Sequence, residues 1–375
     1  MISTIDKFLC CGCSSCVQRC PKQCISLKED KEGFLYPIVD DEICIDCGLC
    51  EKVCPVLNLY EERLPYGVYA VKHKNDEIRM ASSSGGVFTL LAEQVLDEGG
   101  VVFGARFDEC WEVMPDYTET REGLSAFRGS KYVQSRIGNS YKQAEKFLRE
   151  GRKVMFTGTP CQIAGLKSYL RKEYDNLLAV DFVCHGVPSP KVWRIYLKEI
   201  TNNHCQSIKY INFRDKRTGW KNYSVSIIYT SGTTIQTPYF ENIFMKEFLS
   251  DFCLRPSCYQ CVYKLGKSGA DITMGDFWGI EKVRPDLDDD KGCGLVLDYL
   301  NYNFTSLPID MERMDYENAK AGNPAICNSA RMPINRNFFW HRLEHNASAM
   351  CTWNEITSLK PFFRLYRKFY QILNK

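Results

Sequence analysis

Two runs of four cysteines stand near the N-terminus: Cys10-x2-Cys13-x2-Cys16-x3-Cys20-Pro21 and Cys44-x2-Cys47-x2-Cys50-x3-Cys54-Pro55. Each has the bacterial ferredoxin spacing for a 4Fe-4S cluster. Three close thiolates reach three irons of one cube, while the fourth lies too far along the chain and ligates the other cube. One cluster is therefore expected on Cys10, Cys13, Cys16 and Cys54, and a second on Cys44, Cys47, Cys50 and Cys20. Pro21 and Pro55 stop the short helix after each fourth cysteine and turn the chain outward. A pair of zinc sites or a disulfide framework would not need this doubled cadence ending in Cys-Pro. Such a module moves single electrons.

Further along, residues able to do chemistry gather at the ends of strands. Ser82-Ser83-Ser84-Gly85-Gly86 stands directly before a predicted helix, whose N-terminal N–H groups suit a phosphate. The plainer reading of such a turn is a helix cap. Thr157-Gly158-Thr159-Pro160-Cys161-Gln162 follows a buried strand and opens a helix, the usual place of a ligand-binding βα loop. Asp181-Phe182-Val183-Cys184-His185-Gly186 ends the next buried strand, so consecutive strand ends each deliver a cysteine. Cys258-x2-Cys261 and Ala270-Asp271-Ile272-Thr273-Met274-Gly275-Asp276-Phe277-Trp278-Gly279 come later. Three tempting matches fail. No G-x-G-x-x-G occurs, so a Rossmann dinucleotide site is not expected. Gly266-Lys267-Ser268 ends like a P-loop, but Cys261 stands where its earlier glycine belongs. His341-x-x-Glu344-His345 has the letters of an inverted zinc-protease motif and reads as a solvated helix face.

The elements that must position these residues fall into three stretches, with boundaries expected at 1–58, 66–300 and 301–375. The first carries the repeat, with the strand-like Gly33-Phe34-Leu35-Tyr36-Pro37-Ile38-Val39 between its halves. Glu61, Glu62, Arg63, Leu64 and Pro65 read as a linker. The second alternates strand and helix signals: strands at 68–71, 101–105, 153–156 and 177–183, helices at 87–96, 143–148 and 162–170. From 208 to 235 strands follow one another without helices, which suggests an antiparallel stretch at a sheet edge. The third looks helical and ends in an aromatic and basic segment, residues 362–373. That segment is suited to a membrane surface or a partner protein, with packing on its own domain as the duller reading.

Composition narrows the class. With 375 residues and 45% hydrophobic content the chain can bury a real core, and a net charge of +2 gives no reason to expect nucleic acid. The N-terminal residues show no apolar signal region, and no stretch approaches transmembrane length. Twenty cysteines in such a chain point to thiolates kept for metal in a reducing cytoplasm.

Together these motifs resemble the family of coenzyme F420 hydrogenase/dehydrogenase beta subunits, which also includes plant hydroxymethyl-chlorophyll reductase. The resemblance rests on Ser83-Ser84-Gly85-Gly86, Phe127-Arg128-Gly129-Ser130-Lys131-Tyr132-Val133-Gln134, Gly158-Thr159-Pro160-Cys161-Gln162, Cys184-His185-Gly186, Cys258-x2-Cys261 and Asp271-Ile272-Thr273-Met274-Gly275-Asp276. It covers about residues 66–300. A di-cluster ferredoxin fused in front also occurs in that family.

The resemblance implies a flavoprotein holding FAD with a further 4Fe-4S cluster beside it. By position, Cys161, Cys184, Cys258 and Cys261 are the candidate ligands of that third cluster. The residues expected around FAD are Ser83, Ser84, Gly85, Gly86, Gly129, Lys131, Tyr132, Gln134, Gly158, Thr159 and Gln162. The fold expected is α+β: a two-cluster ferredoxin fold, an α/β flavin-binding domain with an antiparallel strand region, and a helical C-terminal tail. The function implied is an oxidoreductase passing electrons between a small-molecule two-electron partner and a ferredoxin-type or other protein carrier. Members of the family also accompany surface-polysaccharide genes, which puts such a pathway among the expectations. The rival classes are a non-enzymatic electron-transfer subunit and an oxygen-sensing regulator. No catalytic residue is singled out.

Overall fold

The structure, a computed structural model, describes Ile2 and residues 5–204, 207–346 and 348–358. Its strands are β1 (Ile25–Glu29), β2 (Leu35–Val39), β3 (Gly67–His73), β4 (Val101–Phe107), β5 (Val113–Thr118), β6 (Val154–Thr157), β7 (Leu177–Phe182), β8 (Ile208–Asp215), β9 (Ser224–Tyr229), β10 (Thr234–Pro238), β11 (Ile272–Asp276), β12 (Gly294–Asp298) and β13 (Ile309–Arg313). Eight of them form the main sheet in the order β13-β3-β12-β11-β7-β6-β4-β5. Its centre, β11-β7-β6-β4, is parallel. These strands are short apolar runs because helices cover both faces; all four residues of β6 are buried. The C-terminal ends of the parallel strands therefore open on one edge, where a ligand crevice belongs in such a sheet.

Two elements differ from the sequence reading. The antiparallel stretch is not an edge of the main sheet but a separate sheet, β10-β9-β8. Trp193, Phe213 and Phe244 lie in the apolar cluster beneath it, so it has a floor of its own. The stretch after residue 300 is not wholly helical. Its alternating Ile309-Asp310-Met311-Glu312 adds β13 antiparallel to β3, before helices Tyr316–Gly322, Arg336–Asn346 and Ala349–Ser358. The aromatic and basic segment 362–373 lies outside the described residues. His341, Glu344 and His345 are all exposed on the Arg336–Asn346 helix.

The N-terminal repeat folds around the β1-β2 hairpin and is packed into the rest of the molecule. Phe34 and Tyr36 sit in the same apolar cluster as Trp193 and Phe244. Gly33, at the hairpin turn with φ +87°, approaches Lys191 so closely that a Cβ would lie 2.4 Å from the lysine Cβ. Ser189 Oγ donates to Glu32 O (2.5 Å), and the buried Glu32 carboxylate takes both Arg336 Nη atoms (2.8 and 2.5 Å). The stretch read as a linker is pinned too: Arg63 Nη2 donates to Ala270 O at 2.5 Å.

Candidate functional site

The first cysteine set lies at the junction with the large domain. Cys16, whose pKa burial raises, has Cys13, Cys10 and Cys54 as its charged neighbours. Ser15 Oγ, 3.4 Å from Cys13 Sγ, donates to Gly165 O (2.7 Å) in the helix Pro160–Leu170. The second set lies outward. Cys20, Cys44, Cys47 and Cys50 line a small cavity of about 30 Å³ together with Cys24, whose Sγ is 3.4 Å from that of Cys20. Among the described residues, no three His, Cys, Asp or Glu side chains are arranged to hold a single metal ion.

A cavity of about 1370 Å³ opens at the C-terminal ends of the parallel strands. Of the residues expected around FAD, it is lined by Ser83, Ser84, Gly85, Gly86, Gly129, Lys131, Tyr132, Gly158, Thr159 and Gln162. Gln134 lies elsewhere, donating to Cys11 O (3.1 Å) and accepting from Arg255 Nη1 (3.0 Å). Gln162 lines the cavity, yet its amide is taken up locally. Its Oε1 accepts from Thr159 N (2.9 Å), closing a capping box, and its Nε2 donates to Ser135 Oγ (2.7 Å).

The glycines of the serine loop have a packing reason. A Cβ on Gly85 would lie 2.1 Å from Val71 O and 2.5 Å from Gly294 N, and Gly86 has φ +89° as N-cap of the Val87–Asp97 helix. The loop is held from beneath by two buried cations that carry no sequence signal. Lys216 Nζ donates to Ser84 O, Arg79 O and Lys291 O (2.9, 2.6 and 2.6 Å). Burial, then Arg214 and Arg79, push its pKa down to about 7. Arg214 Nη2 donates to Ser83 O (3.2 Å) and pairs with Asp276 (2.9 Å).

The cavity wall has an excess of positive charge. Asp276 is paired with Arg214, and Asp251 Oδ1 lies 2.5 Å from His185 Nε2. Arg128, held by its Nε to Thr89 Oγ1 (3.0 Å), forms no ion pair among the described residues. Lys131 Nζ donates only to Ala126 O (2.8 Å) and Arg128 O (2.9 Å), and burial pushes its pKa down to about 7. Gly129, with φ +79° and nothing within 4 Å of a built Cβ, leaves an open cradle between them. A pyrophosphate beside the Val87–Asp97 helix start and an anionic ring near Lys131 suit this donor set. FAD therefore fits the residues present.

Cys184, at the end of β7, lines the same cavity and groups with Cys258 and Cys261. Burial, then these two thiols against Lys264, bring its pKa up to about 12. Val187 N donates to Cys258 Sγ (3.5 Å), and Lys264 Nζ to Cys184 O (2.7 Å). Cys161 is not among the residues that line the cavity. Its Sγ is 3.1 Å from Thr159 Oγ1, and it packs with Cys11, Cys13 and Cys261, between the first set and this one. The residue that joins the sets is Arg255, which no motif announces. It is fully buried, its Nε donates to Cys10 O (2.8 Å), its Nη2 to Leu35 O (2.9 Å), and its Nη2 stands 3.8 Å from Cys10 Sγ.

Three family models match the chain in order. Residues 68–140 match the N-terminal part, and residues 151–297 the C-terminal part, of the coenzyme F420 hydrogenase/dehydrogenase beta subunit. Residues 9–58 match a 4Fe-4S dicluster domain. The chain is 27% identical to a coenzyme F420-dependent sulfite reductase of Methanocaldococcus jannaschii over 72% of this chain and 42% of that protein. It is 23% identical to one component of the F(420)H(2) dehydrogenase of Methanosarcina mazei, over 42% of this chain and 47% of that one. A chain of the F420-reducing NiFe hydrogenase complex of Methanosarcina barkeri superposes with TM-score 0.47 and 18% identity, covering 75% of this chain and 94% of that chain. The alignments thus span about half the length of the curated relatives. No helix of the described residues is long and apolar enough to cross a membrane. With both halves of the family matched in order behind an iron–sulfur ferredoxin domain, the chain belongs to the family of coenzyme F420 hydrogenase/dehydrogenase beta subunits, a group of iron–sulfur oxidoreductases.

Proposed function

We propose that the chain is an iron–sulfur flavoprotein that exchanges electrons between a two-electron organic carrier at the large cavity and a one-electron protein at the ferredoxin end. One observation carries the reading: Cys184 belongs both to the cavity wall and to the thiol group with Cys258 and Cys261. A flavin in the cavity would take up electrons in pairs and give them out singly, as 4Fe-4S clusters require. Arg128 and the residue 83–86 loop would hold its phosphates, and Lys131 would balance negative charge on its ring. Cys184, Cys258 and Cys261, with Cys161 as the remaining candidate, would hold a third cluster. The thiol sets then run in order from the cavity, through Cys10, Cys13, Cys16 and Cys54, to Cys20, Cys44, Cys47 and Cys50. Residues 1–58 and 66–300 would serve as relay and flavin unit. Coenzyme F420, in the names of both curated relatives, is one carrier of the right class. The link to surface-polysaccharide synthesis rests on the resemblance alone and adds no residue to the site.

Anaerobically purified protein is expected to hold about twelve irons and one FAD per chain. Cys258→Ser should remove about four irons and leave the rest. Iron analysis, low-temperature EPR and the mass of the released flavin check this. Full iron in Cys258→Ser refutes the third set; protein with its iron but no flavin favours an electron-transfer role without a small-molecule reaction.

A further inference from the structure

The cavity extends past the residues expected around FAD. Its volume is about 1370 Å³, whereas pockets for a single small molecule run to about 1,000 Å³. Part of its wall comes from residues 322–332, beyond the family match that ends at residue 297. That wall is firmly seated at the ends of β7 and β11. Lys264 Nζ ties Ala325 O (2.9 Å) to Cys184 O (2.7 Å), and Ser329 Oγ donates to Tyr259 O (3.1 Å). Gly322 lies so close to Trp278 that any Cβ there would strike its carbonyl oxygen.

The chemistry of this wall is simple. Arg331 lines the cavity and has no hydrogen bond or ion pair among the described residues, while both cavity carboxylates, Asp251 and Asp276, already have partners in His185 and Arg214. Met332, its chain neighbour, is 52% exposed, and Phe182, also on the cavity wall, 38%. An unpaired guanidinium that shares a cavity with exposed apolar side chains suits a molecule with a flat apolar body and an acidic group. We propose that residues 322–332 form the substrate wall of the cavity, taking an organic anion whose acidic group is held by Arg331. The inference rests on the flavin reading above for its claim that the bound molecule is the two-electron substrate.

The test uses the full chain, anaerobic and loaded with iron, and two unreactive probes of one shape: naphthalene-2-sulfonate and neutral 2-naphthalenemethanol. Calorimetry reads binding whether or not flavin is present, and flavin content is measured on the same samples. The sulfonate should bind about tenfold more tightly than the alcohol. Arg331→Ala should erase that preference and Arg331→Lys keep part of it, with iron and flavin contents unchanged. Equal affinities in flavin-loaded protein, or a preference that survives Arg331→Ala, overturn the inference. An Arg331-dependent preference in protein that carries iron but no flavin overturns the flavin reading alone.

Discussion

Cys13 and Cys47 occupy the same place in their two runs, yet Cys13 is buried against the large domain and Cys47 is exposed. Around the first set stand Arg255, Gln134 and the Pro160–Leu170 helix. Around the second stand Asp41, Glu42 and Asp46, exposed and without ion pairs among the described residues, and the exposed Ile43 and Ile45. The repeat therefore specifies a cage twice and an environment not at all. Burial, charge and access come from residues up to 245 positions away, as in the Arg255 bond to Cys10 O. One half is built as part of the core, the other faces outward.

Cutting the chain between its two compositions should break this contrast most severely. Removing residues 1–58 strips Phe34 and Tyr36 from the shared core and leaves Arg255 and Arg336 without Cys10 O, Leu35 O and Glu32. Buried charges stripped of partners are strongly destabilising. The remaining chain should give no cooperative thermal transition by circular dichroism. A well-folded fragment would mean that the ferredoxin half is merely tethered.

A single substitution sharpens the point. Arg255→Met leaves the carbonyls of Cys10 and Leu35 without their donor and should lower stability by about 1–3 kcal/mol, read from the denaturant midpoint of anaerobic protein. Asp46→Asn, at the outward set, should stay within about 0.5 kcal/mol of the parent. Similar losses in both would remove the distinction between the buried and the outward set.

The smallest effect concerns the charge around the outward set. Chemically reduced protein should pass electrons to cytochrome c, a basic one-electron acceptor, faster at low than at high salt. Neutralising Asp41, Glu42 and Asp46 together to the amides should slow this about three- to tenfold at low ionic strength, with the difference vanishing in high salt. Stopped-flow absorbance follows it. Equal rates at low salt would mean that electrons leave elsewhere.

Much of this was legible in the chain because it is local. The cysteine spacing, the apolar runs of β4, β6 and β7, and the small-residue loops at strand ends all declare themselves within ten residues. Ten of the eleven residues expected around FAD line one cavity for that reason. What was not legible is long-range. Arg255, Lys216 and Arg336 act through bonds to distant carbonyls and carboxylates, and a lone basic residue between apolar ones has no periodicity to read. Gln134 sits in the same short run as Lys131 but its amide points to Cys11 and Arg255, a direction that only the docked ferredoxin half determines. The same holds for β13, whose five residues become a strand because β3 offers a free edge.

The Glu32–Arg336 pair also sets a clock. Its partners are 304 residues apart. At a synthesis rate of about 5–20 residues per second, the guanidinium follows its carboxylate out of the ribosome by about 15–60 s. Cys10 to Cys20 are translated before Glu32 and Cys44 to Cys54 soon after it, so all eight thiols of the repeat wait for Arg255 and Arg336 to follow. Iron delivery and oxidation therefore compete on a nascent chain, and the length of the large domain fixes how long the contest lasts.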